Sequence, residues 1–71
     1  MNSFQRKKVK HILSNADKVF PLWREVRTRA AIAFRNTIIQ QLKECKLNIE
    51  DIIVETGISY SKVFEGIHNK N

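Results

Sequence analysis

Seventy-one residues make one domain, 1–71, because a chain this short buries only about 60% of its extendable surface and cannot divide that between two cores. Thirteen Lys and Arg against seven Asp and Glu give a net of +6, which points toward anionic partners, while 42% hydrophobic residues exclude a disordered basic tail. Two glycines and one proline are too few for the turns of a β-rich fold, so the expected class is all-α, a small four-helix domain.

Apolar residues at Val9, Ile12, Leu13, Ala16, Val19 and Phe20 have the i, i+3, i+4 spacing of an amphipathic helix and predict one from Gln5 to Phe20. Arg6, Lys7, Lys8 and Lys10 crowd its first turns, where positive charge opposes the macrodipole. That end is expected to fray or to be held by an anion or a partner. Pro21 stops the helix by removing a backbone donor and pushing Phe20 out of the α region.

A second helix is predicted from Leu22 to about Lys46, with Val26, Ala30, Ala33, Phe34, Thr37, Ile38, Leu42 and Cys45 as its stripe. At about 1.5 Å per residue it would span roughly 37 Å, longer than so small a domain covers with its own elements. Part of the stripe is therefore expected to meet a second copy, giving a homodimer. A break near Arg35 to Thr37 is equally compatible with the periodicity.

Asn48 followed by Glu50 and Asp51 is a helix cap with first-turn carboxylates, which predicts a short third helix, Ile49 to Thr56, ended by Gly57. Ser59 or Ser61 then caps a fourth helix reaching about His68, with Val63, Phe64 and Ile67 inward. Asn69 to Asn71 is a polar tail.

Residues 49–68 resemble the helix-turn-helix of the lac-repressor-like and phage-repressor/Cro-like DNA-binding proteins. The residues carrying the likeness are Ile52 in the first helix, Gly57 at the turn, Ile58 after it and Val63 in the second helix. Ile53 stands where those families usually have Ala, and Gly66 replaces an expected apolar residue, leaving Ile67 for that role. One helix, a long helix and a C-terminal helix-turn-helix is also an order similar to that of dimeric nucleoid proteins of the factor-for-inversion-stimulation type. The resemblance implies double-stranded DNA as partner and a homodimer reading half-sites about one helical turn apart.

Residues 1–35 hold nine basic residues and two acids, a net of +7, while residues 36–71 hold four and five, a net of −1. Phosphate attraction is therefore assigned to Arg6, Lys7, Lys8, Lys10, Arg24, Arg27, Arg29 and Arg35. Base reading falls to Ser59, Tyr60, Ser61 and Lys62, with His68 and Asn69 as later contacts.

Other chemistries find little support. His11 and His68 are far apart, Cys45 lies on an apolar stripe, and no paired Cys/His spacing, phosphate-cradling glycine loop or serine elbow is present. No enzyme activity, cofactor or metal is expected. Trp23 beside Arg24 and Arg27 offers an RNA-stacking platform, although a helical aromatic is more often core. The longest apolar stretches, Ala30 to Phe34 and Ile52 to Val54, predict no membrane span, and the N-terminus lacks a signal peptide's hydrophobic region. With a single cysteine, the expected compartment is the cytoplasm. The nine Ile, eight Lys and six Asn suit an A/T-rich bacterial, phage or plasmid gene. The sequence-level function is a small basic transcriptional regulator. Its alternative is a basic helical adaptor that binds a protein or RNA through residues 5–35.

Overall fold

The computed structural model describes residues 1–68, and its regular elements are four helices: α1 (Ser3–Val19), α2 (Arg29–Glu44), α3 (Ile49–Thr56) and α4 (Tyr60–His68). The all-α class holds. α1, α3 and α4 each pack on α2, and α3 also packs on α4. The core between them is built from Val9, Ala16, Trp23, Ile38, Ile39, Leu42, Leu47, Ile52, Ile58 and Val63. Ile39 and Leu42 are wholly buried, and burial of side chains this size contributes about 1.5–3 kcal/mol each.

The basic end of α1 carries a cap. Asn2 Oδ1 accepts from the Gln5 backbone N–H at 2.8 Å, and Gln5 Oε1 accepts from the Asn2 N–H at 3.0 Å, a reciprocal capping box. Gln5 Nε2 also donates to the Cys45 carbonyl at 2.9 Å, tying the start of α1 to the end of α2. Val19, placed on the apolar stripe by spacing, is 68% exposed because the helix ends there.

The long second helix does not form. Residues 20–28 are a turn segment, and α2 begins only after Thr28, whose Oγ1 accepts from the Ala31 N–H at 3.2 Å. The helix starts at Arg29 rather than Leu22, and it runs unbroken through Arg35 to Thr37. The physical cause of the late start is a set of competing acceptors and donors: the carbonyls of Arg24 and Val26 receive the Arg35 guanidinium, at 3.3 and 2.7 Å. Trp23, wholly buried, anchors the same segment with its Nε1 donating to Asp17 Oδ1 at 2.9 Å. A helix of 16 residues is about 24 Å long, so the length argument for a second copy is gone, although Ala30, Ala33 and Thr37 of the expected stripe are exposed.

The C-terminal half follows its local signals. Asn48 Oδ1 accepts from the Asp51 N–H at 2.8 Å, and Gly57, at φ 73°, closes α3 with its N–H donating to the Ile53 carbonyl. Lys46 takes the left-handed conformation at φ 67° after α2, a place where glycine is more usual. α4 starts directly after Ser59, whose carbonyl accepts from the Val63 N–H.

Candidate nucleic-acid interface

α3 and α4 are joined by three residues, 57–59, and share a small buried contact. The positions buried along this unit are Ile52, Thr56, Ile58, Val63 and Gly66. Thr56 fits among apolar neighbours because its hydroxyl donates to the Ile52 carbonyl and accepts from the Ile58 N–H. Ile67 packs against the core as expected, and Gly66 is buried as well: a Cβ there would lie 2.6 Å from Ile39 Cδ1. The missing side chain lets α4 lie close on α2. Gln40 of α2 then reaches the end of α4, its Nε2 donating to the carbonyls of Gly66 and Ile67 at 2.6 and 2.9 Å. Neither Gln40 nor this use of Gly66 has a local sequence signal, because each depends on a helix 26 or more residues away.

With Val63 and Gly66 turned inward, about 100° per residue places Ser61, Glu65 and His68 at the centre of the outward face of α4. Ser59, Tyr60 and Ser61 are exposed as the sequence reading requires, and Ser59 Oγ lies 3.5 Å from Ser61 Oγ. Lys62 is not on that face. It is half-buried on the flank toward α2, sharing a groove with Arg27, Arg35 and Asn36. Phe64, expected inward, is 44% exposed and forms a ladder with its helical neighbours: Tyr60 and Phe64 stack with centroids 6.1 Å apart, and Phe64 and His68 are 4.3 Å apart. Asn69 lies outside the described residues.

The cations of the first half divide into three settings. Arg6, Lys7, Lys8 and Lys10 are exposed along α1, and Arg27 and Arg29 are exposed before and at the start of α2. Arg24 is engaged inside the chain, paired with Asp17 at 2.9 Å and lying over the Trp23 ring at 4.6 Å. Arg35, grouped by sequence with the surface cations, is 4% exposed and clasps the 20–28 segment. Trp23 offers no stacking platform, since its ring is wholly buried against Phe34 and covered by Arg24. Acids also border the basic surface: Glu55 of α3 shares a shallow depression with Arg6, Lys10 and Arg24.

No protein-family model, curated protein or solved structure matches the chain. Its chemistry therefore rests on the geometry above. Among the described residues there is no cluster of three or more His, Cys, Asp or Glu placed to hold a metal ion, and no helix long and apolar enough to cross a membrane.

Proposed function

We propose that the chain is a small DNA-binding transcriptional regulator that inserts α4 into the major groove. The observation that carries this reading is the burial of Ile52, Thr56, Ile58, Val63 and Gly66 around a three-residue turn, which holds α3 and α4 rigidly while leaving one face of α4 open. Tyr60, Ser61 and His68 supply donors and acceptors for base edges, and Phe64 an apolar surface suited to thymine methyl groups. Phosphate attraction comes from the exposed cations of α1 together with Arg27 and Arg29. Two copies on half-sites about one helical turn apart remain part of the proposal, supported by the symmetry usual among such regulators.

Ser61→Ala combined with His68→Ala tests the groove-reading face. Selection from a random-sequence DNA pool should enrich a motif with the native chain, and the double variant should flatten it, each lost base contact costing about 1–3 kcal/mol of discrimination. An unchanged motif would remove α4 from the groove.

The exposed ladder Tyr60–Phe64–His68, in a chain that also carries a basic α1, favours a second reading: a helical adaptor binding a protein or RNA. A native chain that enriches no DNA motif but retains such a partner would establish it. The two readings also differ in salt response. Arg27→Gln with Arg29→Gln should weaken binding to all duplexes alike and reduce the log–log salt slope by up to about two, roughly 0.9 for each lost phosphate contact. A slope left unaltered would show that neither arginine touches DNA.

A further inference from the structure

The groove between α2 and α4 combines features that packing alone does not use. It has a volume of about 340 Å³ and is lined by Arg27, Ile32, Arg35, Asn36, Lys62 and Glu65. Three cations face one carboxylate there. Arg35 is 4% exposed, yet no carboxylate bonds its guanidinium; Nη2 is fixed by the Arg24 and Val26 carbonyls, and the buried Nε has no hydrogen-bond partner among the described residues. Burying a cation without a counter-charge is costly, and a rigid guanidinium in the wall of the groove adds a fixed positive charge that an anion there would offset. Lys62, turned off the outward face of α4, and the exposed Arg27 bring two further cations to the same groove. Asn36, itself buried, adds an amide.

We infer that this groove is a phosphate site, with Arg27, Arg35 and Lys62 as its ligands and a tetrahedral phosphate oxyanion as its occupant. The inference rests on the DNA-binding reading for its source, a backbone phosphate flanking the major groove. Placed there, the phosphate would fix how deeply α4 enters and its angle, because it bridges α2 and α4 rather than touching α4 alone. Glu65 opposes the anion and limits its affinity.

The test follows the Arg35 Nε–Hε resonance and the Asn36 side-chain amide by NMR in the full chain, titrated first with inorganic phosphate and then with a short duplex. Saturable shifts of both signals with phosphate are expected. Arg27→Gln with Lys62→Gln should weaken the response at least about ten-fold, while Glu65→Gln should strengthen it several-fold, a gain that loss of folding cannot produce. If the duplex moves the same signals, the source is nucleic acid. If phosphate moves them and no duplex binds the chain, the site stands with a free phosphate or phosphomonoester as occupant, and the DNA-binding reading fails. If the duplex binds while these signals stay still, or phosphate shifts them no more than it shifts the α1 lysines, the site is overturned and the DNA-binding reading survives without it.

Discussion

Trp23→Ala is expected to lower the unfolding free energy by about 3–5 kcal/mol, the range for deleting a large aromatic from a packed core. The ring is wholly buried, meets Phe34 edge-on at 6.2 Å between centroids, and donates from Nε1 to Asp17. A chain of 71 residues holds only roughly 4–10 kcal/mol in total, so this single loss removes a large share of it. The damage should centre on residues 20–28, since no other wholly buried side chain comes from that segment. Once it loosens, the carbonyls that receive Arg35 move, and the start of α2 goes with them. Urea unfolding followed by circular dichroism measures the effect, and Trp23→Phe separates ring from hydrogen bond. Phenylalanine keeps much of the apolar volume and should lose considerably less. An unfolding free energy for Trp23→Ala within about 1 kcal/mol of the native chain's would mean that the segment is not held by its tryptophan.

Gly66→Ala brings two effects of opposite sign. Alanine in a helix interior is favoured over glycine by about 0.5–1 kcal/mol. Against that, the new Cβ would sit 2.6 Å from Ile39 Cδ1 and 3.1 Å from both Ile39 Cβ and Cγ2. The terminal methyl can rotate away; Cβ is fixed to the α2 backbone and moves only if the helices separate. Overpacking of this kind costs about 1–3 kcal/mol, so the net expectation is a loss of about 1–2 kcal/mol. It should stretch the Gln40 bonds to the end of α4 as well. Ile39→Val provides the control because it removes only Cδ1. In the native chain it should cost about 0.5–1.5 kcal/mol, and in the Gly66→Ala background nearly nothing, or even a gain. A more stable Gly66→Ala would show that α4 does not lie so close.

These two positions show where sequence reasoning reached its limit. Trp23 was legible as a core residue by type, although its neighbours Arg24 and Arg27 also suggested a stacking platform. Gly66 was legible only as a departure from a pattern. The exposed face of α4 was partly legible: Ser59, Tyr60 and Ser61 are exposed as expected, but Lys62 turns to α2 and Phe64 turns outward. A rotation of one residue in a nine-residue helix decides each of these, and periodicity over so few turns does not resolve it.

The sequence by itself determined the all-helical class, the stop near Pro21, the Asn48 cap and the left-handed Gly57. Each of these is fixed by interactions within about four residues, where residue type and spacing act directly on the backbone. Tertiary structure decided the rest: that residues 20–28 leave the helix, that Arg35 is buried rather than solvated, and that α4 lies on α2 at Gly66. Arg35 reaches carbonyls nine and eleven residues before it, and Gln40 reaches carbonyls 26 and 27 residues after it. At such separations the partner is chosen by how whole helices pack, so a cation that reads as surface charge in the sequence becomes a buried clasp once α2 and the preceding turn meet.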